Sequence, residues 1–136
     1  MGTEPWYVIE KWEQDLTPVL ARAQSRALST GEYGPSYSRG EPTNATIDEV
    51  REFYEQVDTI SESVLDVRAI ADEPGVCEAG PFSDEVLEEM LGSTTPSRET
   101  AIAQLSELWS CLASGQAAYV VLYRDGEPDE VLFVGH

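Results

Sequence analysis

The clearest hydrophobic pattern in the chain runs from Thr46 to about Ile70, where apolar residues recur at steps of three and four. These apolar positions are Ile47, Val50, Phe53, Tyr54, Val57, Ile60, Val64, Leu65 and Val67. Such spacing places apolar side chains on one stripe of an α-helix. Thr46 is followed three residues later by Glu49, a capping-box pattern that marks a helix start. The pattern predicts one long amphipathic helix over residues 46–70.

The polar face of this predicted helix is acidic. Six carboxylates fall within an arc of about 120° opposite the apolar stripe: Asp48, Glu52, Glu55, Asp58, Glu62 and Asp66. Neighbours in such a row stand about 6 Å apart and cost about 0.2–0.5 kcal/mol per like-charge pair, a cost that Arg51 in the same arc would partly relieve. Charged faces are commonly no more than solvated faces. The density of this row also makes it a candidate binding surface.

The N-terminal segment shows a second helical pattern. Apolar residues from Trp6 to Ala23 follow helical spacing, and Pro5 suits the first position of a helix. Pro18 lies inside this pattern, so we expect a kink or a break near residues 15–17. The sequence WYVI, from Trp6 to Ile9, consists of good strand formers. Helix is the favoured interpretation, and a short strand is the alternative.

Two shorter helices are predicted in the second half of the chain. Ser83 is a suitable N-cap for a helix through Leu91, and Gly92 is a suitable stop. A last helix is predicted from Thr95–Pro96 to Gly115, with apolar residues at helical spacing at Ile102, Leu105, Leu108, Trp109 and Leu112.

The C-terminal sequence predicts a β-hairpin. The segments AYVVLY and VLFV flank Asp125–Gly126, a pair typical of tight hairpin turns. Pro128 limits strand pairing, so we expect a loop longer than two residues. The predicted fold class is α+β and mainly α, with a helical N-terminal segment, the long central helix, two shorter helices and this hairpin. Residues 1–136 form a single domain in this interpretation.

The segment from Ser29 to Asn44 is predicted to be a long loop, because it has three glycines, two prolines and no apolar periodicity. Loops of this length are either connectors or functional segments. In the second case Tyr33, Tyr37 and Arg39 are the contact residues that the sequence offers.

The charge of the chain restricts its partners. The chain has 26 acidic and 8 basic residues, giving a net charge of −18. Nucleic acids and anionic membranes are disfavoured as direct partners, because both require cationic groups that displace counterions. Basic proteins, cations or a very salty solvent are the partners that suit this charge.

Residue patterns for catalysis or metal binding are scarce. The single histidine is His136, and Cys77 and Cys111 lie 34 positions apart, so neither a Cys–His nucleophile nor a zinc cluster is indicated. The two cysteines are read as free thiols, with one disulfide as the alternative. No glycine-rich phosphate loop is present. We therefore expect no metal, no cofactor and no enzymatic activity, with catalysis by paired carboxylates as a less favoured alternative.

The location of the protein is predicted to be cytoplasmic. The N-terminal sequence MGTEPW is acidic and does not resemble a secretion signal. The longest apolar run, from Ala117 to Tyr123, is far shorter than the roughly 20 residues of a membrane-spanning helix.

Two functional hypotheses follow from the acidic helix face. The first is a small acidic protein, such as an immunity protein, an antitoxin or a phage-type inhibitor, that blocks a basic partner. That partner would be a nuclease, a toxin or a nucleic-acid-binding protein, and imitation of a phosphate backbone is one way to block it. In charge and size the chain resembles acidic immunity proteins and DNA mimics, and this resemblance rests on no shared motif. The second hypothesis is a halophile's protein, in which the acidity is an adaptation to salt and the activity is not visible.

Overall fold

The computed structural model describes residues 5–30, 46–56 and 63–136, and within these ranges the chain forms a six-stranded sheet and five α-helices. The strands are β1 (Trp6–Lys11), β2 (Ala69–Ile70), β3 (Gly75–Val76), β4 (Glu78–Pro81), β5 (Gln116–Arg124) and β6 (Glu127–Gly135). The helices are α1 (Leu16–Thr30), α2 (Ile47–Gln56), α3 (Asp84–Leu91), α4 (Arg98–Ala103) and α5 (Leu105–Ser110), with a 3₁₀ turn at Val64–Asp66.

The sheet is mixed. β5 and β6 form an antiparallel hairpin, and β1 pairs with the far side of β6, also antiparallel. On the other side of β5, β4 runs parallel to it and β2 runs parallel to β4. β3 is a two-residue strand that contacts both β4 and β5. The parallel step from β4 to β5 requires a crossover connection, and α3, α4 and α5 supply it.

Helices cover both faces of the sheet. On β6, Val131 and Phe133 belong to the core that includes α1 and α2. The alternating residues Leu132 and Val134 belong to the core that includes α3, α4 and α5. All four side chains are fully buried, as expected for a central strand with a core on each side.

The prediction of a mainly α fold is wrong. Both hydrophobic cores are built on the central strands of a six-stranded mixed sheet. The described helices are amphipathic layers on that sheet, so the sheet and not a central helix organises the chain.

The predicted long helix over residues 46–70 is also wrong. It begins as expected, with the Thr46 hydroxyl accepting from the Glu49 amide at 3.2 Å, but α2 ends at Gln56 in the described part of the chain. Residues 64–66 form a 3₁₀ turn capped by Ser63, and residues 69–70 form β2. Here the apolar spacing reflects burial against several elements instead of one stripe.

Side chains from other helices explain why residues 64–67 are not α-helical. Arg51 donates hydrogen bonds to the Leu65 carbonyl at 2.8 Å and to the Val67 carbonyl at 2.7 Å. Gln24 on α1 donates to the carbonyls of Val64 at 3.2 Å and Val67 at 2.6 Å. These carbonyls are therefore satisfied by tertiary contacts and do not need the donors of a longer helix.

The favoured interpretation of the N-terminus is corrected as well. Trp6–Lys11 is a strand, which agrees with the alternative for WYVI, because β6 provides a partner for every residue of it. The helix begins only at Leu16, and Asp15 accepts from the Thr17 amide at 3.1 Å. Pro18 thus lies in the first helical turn, where its missing N–H costs no hydrogen bond and causes no kink.

The C-terminal predictions are partly correct. The predicted last helix is divided into α4 and α5 at Gln104, whose φ of −113° and ψ of 21° leave the α region. The hairpin turn has Asp125 at φ 51° and Gly126 at φ 80°, typical of a two-residue type I′ turn. The longer loop is therefore absent, because a register shift between Leu122 and Tyr123 accommodates Pro128.

Candidate functional site

The predicted acidic row is only partly present as a surface. Asp48 and Glu52 are exposed on α2, one helical turn apart. Asp66 is half-buried and accepts from the Ser63 amide at 3.3 Å, so it belongs to the cap of the 3₁₀ turn. Asp58 and Glu62 lie outside the described residues, as does the side chain of Glu55. The structure therefore brings only Asp48 and Glu52 of this row together on one described face.

Arg51 does not neutralise the acidic face of α2 as the sequence indicated. Its guanidinium group is turned toward the backbone of residues 65–67, to which it donates two hydrogen bonds. Burial, with a further contribution from the positive charge of Arg68, lowers the pKa of Arg51. Asp48 and Glu52 are consequently left without this cation as a hydrogen-bonded partner.

The proposed loop contacts lie outside the described residues. Tyr33, Tyr37 and Arg39 fall within residues 31–45, which the described ranges do not include. Their role in recognition stays a prediction from the sequence.

A second acidic surface lies on α3. Ser83 caps this helix by accepting from the Val86 amide at 3.2 Å, and Gly92 ends it at φ 74°, both as predicted. Leu87 and Leu91 are buried against the sheet. The remaining polar positions are all acidic and exposed, and they form what we call the α3 acidic surface: Asp84, Glu85, Glu88 and Glu89.

The electrostatics of this surface are unfavourable within the protein. Asp84 and Glu85 lie at the positive end of the helix dipole, where carboxylates are stabilising. Glu88 and Glu89 lie one turn further on, where they repel both the first pair and the negative end of the dipole. This repulsion is relieved when a cation or a basic partner approaches.

The sequence on either side of α3 is also acidic. Residues 69–97, which we call the acidic segment, contain seven acidic and no basic residues. All seven carboxylate side chains are exposed. The loop between β2 and β3 passes close to β4, the strand that precedes α3, since a Cβ on Gly80 would lie 2.1 Å from the Glu73 carbonyl oxygen. The sequence signal for this acidic surface is the absence of lysine and arginine over these 29 residues. The apolar spacing within a single helix does not reveal it.

Residues 5–30 have the opposite character, and we call them the neutral segment because they contain three acidic and three basic residues. Glu10 on β1 is buried, and Arg26 on α1 donates to its Oε2 atom at 3.1 Å. The Nε atom of Arg22 lies 4.0 Å from the same carboxylate, and Arg22 also pairs with Glu13. The cations of α1 thus surround the one buried carboxylate of the described residues.

Other polar groups offer little chemistry in the part of the chain that the structure describes. Cys77 and Cys111 are free thiols there, which favours the unpaired interpretation. No group of three or more histidine, cysteine or acidic side chains suited to a metal ion is found among the described residues. Tyr119 is half-buried, and burial, followed by the charge of Asp72, raises its pKa. Near the hairpin turn, Arg98 and Glu130 form an ion pair at 3.1 Å in an open depression.

None of the described helices has the length and the apolar character that a membrane-spanning helix requires. Comparison of the chain with family models, curated proteins and solved structures found no match in any of the three. The functional assignment therefore depends on the geometry and charge of the chain itself.

Proposed function

We propose that this protein is a small acidic binding protein that blocks a basic partner protein. The partner class is a nuclease, a toxin or a nucleic-acid-binding protein, whose function is lost when its cationic surface is covered. The α3 acidic surface is the proposed contact site, and the pair formed by Asp48 and Glu52 on α2 is the second candidate site.

The observation that supports this proposal is the uneven placement of charge. The acidic segment has seven exposed carboxylates and no basic residue, whereas the neutral segment balances its charges. If the acidic residues served only to bind water and salt ions, they would not need to be concentrated in one segment of the chain. A local excess of negative charge instead attracts a basic surface over roughly 10 Å and accelerates its association.

The spacing on α3 suits a partner that normally binds nucleic acid. Carboxylates three or four positions apart on a helix stand about 6 Å apart. Consecutive phosphates of a nucleic-acid strand are separated by a comparable distance, roughly 6–7 Å. Four such groups on a helix capped at both ends, by Ser83 and Gly92, form a rigid array that loses little entropy on binding.

A matched pair of variants tests the assignment. The first replaces the four residues of the α3 acidic surface by their amides: Asp84→Asn, Glu85→Gln, Glu88→Gln and Glu89→Gln. The second removes the same number of charges from exposed positions elsewhere: Glu99→Gln, Glu107→Gln, Asp125→Asn and Glu127→Gln. Binding to a panel of purified basic nucleases and toxins is measured by titration calorimetry, together with inhibition of their activity.

We expect the α3 variant to lose affinity by about 100-fold and the matched variant to lose less than about tenfold. Equal losses would mean that binding follows total charge, and the α3 site would be wrong. A loss confined to a third variant, Asp48→Asn with Glu52→Gln, would move the site to α2.

The melting temperature as a function of salt tests the halophile alternative. A binding protein of this kind should be fully folded in dilute buffer and gain little stability above physiological salt. A continuing rise in melting temperature into molar salt would favour salt adaptation and would contradict the proposal.

A further inference from the structure

The first strand of the protein is an open edge of the sheet in the part of the chain that the structure describes. β1 pairs with β6 along one side and has no described partner along the other. Its sequence, WYVIEK, contains no proline and no glycine. Unprotected edges of this composition are templates for the addition of another strand.

The direction of the backbone groups that β6 does not bind follows from two hydrogen bonds. The Trp12 amide donates to the Asp129 carbonyl at 3.0 Å, which continues the ladder between β1 and β6. Because backbone groups alternate sides along a strand, Tyr7, Ile9 and Lys11 direct their N–H and C=O groups away from β6. The Lys11 carbonyl agrees with this alternation, since it accepts from Arg22 on α1 at 2.7 Å. This bond uses one of the two lone pairs of the carbonyl oxygen and leaves the other for a partner strand.

The space beside this edge is open. A cavity of about 240 Å³ lies between β1 and α1, with Tyr7, Ile9, Ala23 and Arg26 in its wall. Tyr7 is 46% exposed and is one of two large hydrophobic side chains, with Val76, that the described residues leave in solvent. Its ring centroid lies 6.5 Å from that of Trp109, with the two ring planes at 49° to each other.

The charge around this edge determines which partner suits it. The neutral segment has no net charge in a chain of −18, so a basic protein gains nothing from approaching it. Two copies of this chain carry a net charge of −18 each and therefore repel. Because salt screens charges more than about 10 Å apart, the repulsion is weakest where the nearby residues carry no net charge, as in the neutral segment. The strand is also self-complementary: in antiparallel pairing around Ile9, Tyr7 of one copy faces Lys11 of the other.

We propose that two copies of this chain associate through β1, in an antiparallel pair that joins their sheets into one. Ile9 lies on the two-fold axis, and its N–H and C=O groups bond to Ile9 of the partner subunit. Tyr7 packs against the side chain of Lys11 of the partner subunit, and the two-fold axis repeats this contact. The proposal uses residues distinct from the α3 acidic surface and does not depend on it.

A charge exchange at one exposed position tests the pairing and its register. Tyr7→Lys places two like-charged pairs across the interface, whereas Tyr7→Glu places two opposite-charged pairs there. We expect Tyr7→Lys to raise the dimer dissociation constant about tenfold and Tyr7→Glu to leave it unchanged or lower it. Total charge predicts the reverse order, because lysine reduces the net negative charge and glutamate increases it. The double variant Tyr7→Lys with Lys11→Glu should restore dimerisation.

The measurements are sedimentation velocity over a dilution series and hydrogen exchange of the β1 amides. The amides of Tyr7, Ile9 and Lys11 should be protected only at concentrations where the dimer forms, and that of Val8 at all concentrations. Ile9→Pro removes an outward N–H that β6 does not use and should give a folded monomer, with circular dichroism as the check on folding. If that variant does not fold, the two Tyr7 variants decide the outcome.

Three results would overturn the proposal. The first is a monomer at every concentration, and the second is a dimer whose stability follows total charge in the Tyr7 variants. The third is protection of the Tyr7 and Ile9 amides in the monomer, which would mean that another segment of the same chain covers the edge.

Discussion

The neutral segment and the acidic segment use charge in opposite ways. In residues 5–30, two arginines of α1 surround the buried carboxylate of Glu10. In residues 69–97, every carboxylate is exposed and no basic residue is present. A buried carboxylate needs a cation nearby because water no longer solvates it. An exposed carboxylate has no such need, because water solvates it, so the seven carboxylates of the acidic segment are tolerated without a basic residue in that segment.

The two segments also differ in what lies against the glycines of the sheet, which is backbone in the acidic segment and a side chain near the neutral segment. This difference gives the largest predicted change in stability. In the acidic segment, a Cβ on Gly80 would lie 2.0 Å from the carbonyl carbon of Glu73. Because the obstacle is backbone, Gly80→Ala forces the whole loop to move. We expect a loss of about 3 kcal/mol in the free energy of unfolding, measured by urea denaturation.

The control for this prediction separates a clash from backbone strain. Gly92 has φ 74° but no atom within 4 Å of an added Cβ, so Gly92→Ala should cost only about 1 kcal/mol. Near the neutral segment the obstacle is a side chain, since a Cβ on Gly135 would lie 2.2 Å from the Trp6 ring. Trp6→Leu should therefore recover part of the loss caused by Gly135→Ala. Equal losses for Gly80→Ala and Gly92→Ala would contradict the clash.

The ion pairs of the neutral segment give a prediction of intermediate size. Arg26→Met leaves the buried Glu10 carboxylate with Arg22 alone, at 4.0 Å. We expect a loss of about 1–2 kcal/mol in the free energy of unfolding, less than for a fully buried pair because Arg26 is 59% exposed. Arg98→Met breaks the more exposed pair with Glu130 and should cost less than about 0.5 kcal/mol. Similar losses in thermal denaturation would remove the distinction between buried and exposed carboxylates.

The smallest predicted effect concerns the α3 acidic surface and has the opposite sign. Glu88→Gln with Glu89→Gln relieves repulsion along α3 and should raise the free energy of unfolding by about 0.5 kcal/mol in dilute buffer. The gain should disappear at high salt, where these charges are screened. Glu13→Gln is the matched change in the neutral segment, and it should give no gain, because Glu13 pairs with Arg22. A gain in both variants would mean that any loss of negative charge stabilises the protein.

Features with local causes were predictable from the sequence. The Ser83 cap, the Gly92 stop and the Asp125–Gly126 turn each depend on residues within a few positions of one another. The total charge of −18 also follows from the sequence, and with it the class of partner that we propose. The shortage of basic residues in 69–97 was readable too, as was the helix that carries four of those carboxylates; the structure adds that Leu87 and Leu91 are buried and that all four carboxylates are exposed.

Features with distant causes were not predictable. The spacing of apolar residues over 46–70 fitted a helix, but Arg51 and Gln24 bind the carbonyls of residues 64–67 and hold them in another conformation. The sequence WYVI is a strand because β6, more than 100 residues away, pairs with it. Apolar periodicity records which side chains are buried and not which backbone groups find partners across the fold. The sequence alone therefore determined the caps, the turn and the charge, and the tertiary structure decided the sheet and the placement of the acidic surfaces.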